Sequence, residues 1–425
     1  MSTQHPRRVA VTGIGVIAPN GLNTDAYWKS VSEGLNVLDR ITREGCGHLP
    51  LRVAGEVRAF DASTVVEENF LVQTDRFSHF AMTAAAHALD DAGIGSGDPA
   101  EPFSVGVVTA AGSGGGEFGQ RELQKLWGKG SKFVGPYQSI AWFYAASTGQ
   151  ISIRSGFKGP CGVVASDEAG GLDAVAHAAG AVRRGTGVVV VGAAEAPLAP
   201  YSMVCQLGYP GLSTVDDPDR AYRPFTTGAC GFVPAEGGAM LVVEDEDRAR
   251  DRGATVRATV AGHASTFTGV SGWERSREGL ARAIRGALDE AGCAPEEVDV
   301  VFADALGVPE ADRAEALAIA DALGAHGTRV PVTAPKTGTG RAYCGAPVLD
   351  IAAAVLAMEH GQVPPTPNVF DICHDLDLVM SRARPAELRT ALVLSRGLMG
   401  SNAALVLRRG GDSARQDRAG RRTPA

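Results

Sequence analysis

The chain has 425 residues, 44% of them hydrophobic and 21% charged, with a formal net charge of −8. That balance describes a globular chain long enough for two or three domains, and its acidic excess excludes a nucleic-acid-binding surface. The seven cysteines include no Cys-x-x-Cys pair and the nine histidines show no metal-site spacing, so free thiols and no metal are expected. The first residues lack the apolar run of a secretion signal. No stretch reaches membrane-spanning length without a charge or a glycine-rich break, so a cytoplasmic location with no membrane partner is expected.

Taken in order, the chain predicts a strand over Arg8–Gly15, a turn at Ala18-Pro19-Asn20-Gly21, and a helix over Ala26–Glu33 capped by Thr24 or Asp25. The segment GIGVIAPNG does not meet G-x-G-x-x-G, and no acidic residue closes a following strand, so a dinucleotide loop is rejected. Residues Ile41–Val65 are irregular, Asp75–Ala92 has helical spacing, and Ser104–Thr109 reads as a short buried strand. Next comes AAGSGGGEFGQRELQKLW, with glycines at 112, 114, 115 and 116. Without GK[ST] it is no phosphate loop; its small residues permit close backbone packing instead. Glu117, Arg121 and Glu122 then read as a helix's polar surface or a subunit contact, and the aromatic residues Tyr137, Trp142, Phe143 and Tyr144 follow.

The stretch Gly159–Ala196 reads as a strand (Gly162–Ala165), a sharp turn, a helix (Gly170–Arg183) and a buried strand (Val188–Val191). A strand-to-helix turn of this kind presents a nucleophile in several enzyme folds. Here it presents Ser166-Asp167-Glu168, with no Ser-His pair or cysteine at hand. Tyr222–Glu244 predicts a loop running into a strand, and the charged Asp245–Gly253 marks a boundary. Beyond it the pattern repeats: AHALDDAGIG…SVGVVTAAG is echoed by RGALDEAGCAPEEVDVVFADALG, and GGLDAVAHAAGAVRRG by PVLDIAAAVLAMEHG. The expectation is an α/β fold of duplicated halves, over 1–250 and 251–410, with a disordered Arg- and Gly-rich tail at 411–425.

The segments VAVTGIGVIAPNG, RPFTTGACGFVPAEGGAMLVVED, KTGTGR, HGQVPPT and GLMGSNAALVL together give a specific likeness over nearly the whole chain. The chain resembles the β-ketoacyl synthases, which implies a thiolase fold in a layered αβαβα arrangement. Such enzymes use a cysteine at a helix N-terminus for the acyl thioester and two histidines for malonyl decarboxylation and enolate stabilisation. By this resemblance the cysteine position falls on Glu168 and the histidine positions on Asp304 and Arg341; of that set only Lys336 is kept. EFGQRELQKLW, YQSIAWFYA, GQISIR, ADALGVPEADRAEA and GRAY narrow the likeness to the ketosynthase β subunits, or chain length factors, of type II aromatic polyketide synthases.

That likeness implies a heterodimer with a catalytic ketosynthase α subunit, acyl carrier protein as a partner, and a growing poly-β-ketone chain in a tunnel. No cofactor is implied for the chain itself, since the phosphopantetheine belongs to the carrier protein. Thr109, Gly112, Ser113 and Gly116 fall in the region that lines the tunnel and interface in this subgroup, and their small side chains imply a long cavity. Many members carry glutamine where this chain has Glu168; a carboxylate there would repel malonate. Glu168 therefore reads as a structural anion at a helix start, or as a partner of Arg341 with Asp304 as a further acceptor. Two alternatives stand beside the chain-length role: a malonyl-carrier-protein decarboxylase or atypical condensing enzyme using Glu168, and a chaperone of the α subunit without effect on product length. Cys161 and Cys344 lie near the altered site in sequence and read as buried, inert thiols.

Overall fold

The computed structural model describes residues 7–95, 101–269 and 273–411. The tail expected from 411 onward falls almost wholly outside them. Eleven strands form the main sheet: β1 (Val9–Ile17), β2 (Val105–Ala110), β3 (Cys161–Val164), β4 (Val188–Glu195), β5 (Gly237–Asp245), β6 (Ala258–Phe267), β7 (Val300–Phe302), β8 (Pro331–Thr333), β9 (Asp377–Leu378), β10 (Thr390–Arg396) and β11 (Ser401–Arg409). Their order is β9-β8-β7-β10-β11-β6-β1-β5-β4-β2-β3.

The order contains a repeat. Counting strands from β1 in the first half and from β6 in the second, with edge strand β9 set aside, both halves run 3-2-4-5-1. Directions repeat as well. In each half the second strand lies parallel to the third and fourth, and the fifth lies antiparallel to the fourth and first. The duplication read from the sequence is therefore one of topology. The halves meet where Val9–Val11 of β1 pair with Val260–Ala258 of β6, so the hydrogen-bond order is continuous across them.

Layering follows from side-chain period. In β4, Val189 and Val191 face a central core while Val188 and Val190 face an outer one, so both sides of the strand are apolar. The central core holds two helices, Gly170–Arg183 and Gly345–His360, between the halves. Residues 345–358 are buried without exception, which explains why that stretch is apolar all round but for Asp350. Helices Arg76–Asp91 and Ala146–Ser155 cover the outside of the first half, and Trp273–Ala291 and Pro309–Leu323 cover the second. Five layers result, αβαβα, as the thiolase fold implies. Glycine makes one of these contacts possible: a Cβ on Gly15 would lie 1.9 Å from the Ala84 carbonyl of the covering helix.

Local differences have local causes. The first helix spans Thr24–Glu33, and its cap is Asn23, whose side chain accepts from the Ala26 N–H at 2.8 Å. Neither Thr24 nor Asp25 caps it. The charged boundary segment forms a short helix, Glu246–Asp251, capped by Asp245.

Candidate functional site

Between β3 and the Gly170–Arg183 helix the chain turns sharply, with Asp167 in the left-handed region at φ 59°. The turn is clamped from the second half. The Leu398 N–H donates to Glu168 Oε2 at 2.9 Å, and the Met399 N–H donates to Asp167 Oδ2 at 2.6 Å. Gly397 admits this approach, since a Cβ there would sit 2.0 Å from Asp167 Oδ2. Glu168 is 4% exposed. Burial, with the Asp167 carboxyl alongside, pushes its pKa up to about 8 against the pull of Arg341. Ionisation of Glu168 is therefore disfavoured relative to an ordinary glutamate. The structural anion expected from the sequence is thus opposed by burial, which weakens the argument that this residue must repel malonate.

Asp304 follows β7 and Arg341 lies beyond Lys336, both sealed in the interior. Arg341 Nη1 donates to Asp304 Oδ1 at 2.8 Å and Nη2 to the Arg396 carbonyl at 2.5 Å. Arg396 Nε reaches Asp304 Oδ2 at 3.2 Å, and its Nη2 reaches Glu315 Oε2 at 2.9 Å. Burial opposes ionisation of Asp304, yet Arg341, Arg396 and Lys336 hold its pKa below the usual carboxylate range. Lys336 pairs with Asp350 at 2.5 Å and donates to the Ala303 carbonyl at 2.5 Å. The expected Glu168–Arg341 ion pair does not form, because Asp304 and the Arg396 carbonyl take the guanidinium and Leu398 takes Glu168. Asp304 as an acceptor for Arg341 stands. Arg396, Glu315 and Asp350 escaped the sequence reading, although an arginine closing the apolar run TALVLSR is a signal of a buried charge needing partners.

A cavity of about 330 Å³ opens beside the turn, walled by Gly112, Ser113, Gly116, Glu168, Tyr343 and Cys344 among others. Thr109 does not line it. Along β2, Val108 and Ala110 face the central core while Val105 and Val107 face outward, and Thr109 shares the outward parity. Its hydroxyl meets Thr148 Oγ1 at 2.6 Å. Tyr343 donates to Gln206 Oε1, and burial raises its pKa well above the ordinary value, leaving a neutral phenol. Cys344 is buried and its thiol is pushed well up, first by burial and then by nearby carboxyls, so a thiolate is disfavoured there. Cys161, by contrast with the expectation, is exposed. Glu122 is buried rather than on a polar surface, bonded to Lys125 and to the Gly135 N–H at 2.6 Å each. Among the described residues no group of three or more His, Cys, Asp or Glu side chains is placed to hold a metal ion, and no helix is long and apolar enough to cross a membrane.

Trp142 lines the cavity and is 56% exposed, and Trp127, Tyr137, Phe143 and Tyr144 are exposed on the adjoining segments.

The family models for the N-terminal and C-terminal domains of β-ketoacyl synthase match residues 6–249 and 257–370. A polyketide beta-ketoacyl synthase 2 of Streptomyces cyaneus is 78% identical, covering 95% of this chain and 96% of that protein. The tetracenomycin polyketide synthase ketoacyl synthase beta subunit of Streptomyces glaucescens is 50% identical, covering 96% and 99%. Among solved structures, the ishigamide ketosynthase/chain length factor superposes with a TM-score of 0.84 at 27% identity, over 96% of this chain and 100% of that one. A type II polyketide synthase ketosynthase, bound to the hexaketide and in complex with its acyl-carrier protein, gives 0.84 at 26%, over 95% and 100%. The chain belongs to the β-ketoacyl synthase family and, within it, to the ketosynthase β group of type II polyketide synthases.

Proposed function

We propose that this chain is the non-condensing member of a ketosynthase pair. It joins a catalytically intact α subunit, completes the cavity that holds the growing poly-β-ketone, and limits how many malonyl units are added from acyl carrier protein. The observation that carries the reading is the state of the former catalytic positions. Glu168 is a buried carboxyl whose ionisation burial opposes, and Asp304 is locked to Arg341 and Arg396, which leaves no thiolate nucleophile and no imidazole at these positions. The cavity itself remains, with Gly112, Ser113 and Gly116 in its wall and the exposed Trp142 lining it, an aromatic that a partner would cover. The phosphopantetheine arm comes with the carrier protein.

The test is reconstitution with α subunit, carrier protein and malonyl donor, set against this chain alone and the α subunit alone. Polyketide from the pair only is expected; condensation by this chain alone would remove the reading.

A second reading is favoured by the burial of Glu168, which raises its pKa and weakens the objection to decarboxylation. The malonyl carboxylate would leave as CO₂, its bonding pair passing to the α-carbon. The thioester enolate oxygen would take a hydrogen bond from Glu168, and protonation at carbon would give an acetyl thioester. Release of CO₂ from malonyl carrier protein by this chain alone, lost in Glu168→Ala, would support it.

A further inference from the structure

Glu195 ends β4, a strand otherwise made of valine, glycine and alanine, and it is fully buried. Its Oε1 accepts the Gly112 N–H at 2.5 Å and its Oε2 accepts the Ser113 hydroxyl at 2.6 Å. Among the described residues it forms no ion pair. A carboxyl buried without a cation costs stability that an apolar side chain would not, so packing alone does not account for it. What it holds is the wall of the cavity. Gly112 and Ser113 line that cavity, whereas Glu195 lies behind them. Cys344 lies beside it: a Cβ on Gly112 would meet Glu195 Oε1 at 3.4 Å and Cys344 Sγ at 3.5 Å. The Cys344 thiol in turn donates to the Asp167 carbonyl at 3.1 Å. Carboxyl and thiol thus join the glycine turn to the Asp167–Glu168 turn on the other side of the cavity.

We infer that Glu195 is a positioning residue for product length: its two hydrogen bonds fix the Gly112–Ser113 turn and so set the width of the cavity where the chain passes. The inference rests on the reading that this cavity limits the polyketide. The turn, AGSGGG, has almost no side chains to anchor it and a wide range of accessible backbone conformations. Its place is therefore decided by what the backbone and Ser113 bond to. Without Glu195 the Gly112 N–H and the Ser113 hydroxyl lose their acceptors, and the turn occupies several positions.

The test uses the reconstituted pair carrying Glu195→Ala, Glu195→Gln, Ser113→Ala or Gly116→Phe, with product lengths read by mass and total flux and melting temperature recorded. In Glu195→Ala the ratio of the dominant length to its neighbours falls by up to about tenfold, the weight of one lost hydrogen bond. Ser113→Ala gives a smaller change. Glu195→Gln, which keeps an acceptor for Gly112 and offers a donor to Ser113, restores the parental ratio. A residue that merely supports the fold would lower flux and melting temperature and leave the ratio alone; that outcome in Glu195→Ala overturns the inference. If Glu195→Ala does not pair, an unchanged ratio in Ser113→Ala overturns it. A shift in Gly116→Phe without one in Glu195→Ala defeats this inference alone, whereas no shift in either defeats the chain-length reading beneath it.

Discussion

Two clusters of buried ionisable groups stand at the centre of the molecule, and they are built in opposite ways. Asp304, Arg341, Arg396 and Glu315 are matched charge to charge and lie away from the cavity wall. Asp167 and Glu168 line the cavity and Glu195 lies behind its wall, and the hydrogen bonds they accept come from backbone N–H groups and hydroxyls rather than from cations. The first cluster pairs its charges within itself, although Arg341 Nε is left without a hydrogen-bond partner, so it serves the fold. The second includes Glu168 and Glu195, whose pKa values burial raises, next to a space that can be filled, which is where function is to be sought. On the proposed function, one part of the old site has become structure and the other has stayed open.

The contrast breaks most severely at Asp304. Asp304→Ala leaves Arg341 without its carboxylate partner and should cost about 3–5 kcal/mol in denaturant unfolding, while any pair that survives should make products of parental length. A smaller but distinctive effect is expected at Glu168. Its carboxyl titrates near 4.5 when unfolded and at about 8 when folded, so in that window the folded state holds more protons than the unfolded one. Stability should therefore fall as pH rises from about 5 to 8, by on the order of a few kcal/mol. Glu168→Gln should flatten that slope, and an unchanged slope in thermal melts across the range would place the titration elsewhere. Least disturbing to the single chain is the exposed surface. Trp127, 83% exposed, should accept Trp127→Ser with less than about 0.5 kcal/mol change in its own stability, while pairing with the α subunit, followed by sedimentation, should weaken about tenfold or more.

Much of this was legible in the residues. The Gly170–Arg183 helix matches its expected ends because glycines open it and the valine strand resumes soon after. The duplicated halves were visible as repeated helix–strand phrases, and the missing Cys-His-His set as Glu168, Asp304 and Arg341. What spacing could not give is which charges meet within the second half. Arg341 and Asp304 are 37 positions apart, and Arg341 and Arg396 are 55 apart. Their pairing depends on how β10 and the segment after β7 are laid side by side. Thr109 teaches a different lesson. Its alternation with Val108 and Ala110 already placed it on the outward face of β2, and strand parity would have separated it from Gly112, Ser113 and Gly116. The state of Glu168 was hidden because a pKa follows from enclosure, which no local motif encodes.

The measurement closest to the central claim is the product mass from the reconstituted pair carrying Gly116→Phe. Gly116 lines the cavity, and a Cβ there would lie 2.1 Å from the Ser202 hydroxyl, which can rotate aside; Ser202→Ala in the same chain relieves that contact. A pair that folds, turns over and releases a polyketide shorter by at least one ketide unit is the predicted result. A folded, active pair that still makes the parental length would contradict the assignment of this cavity to chain-length control.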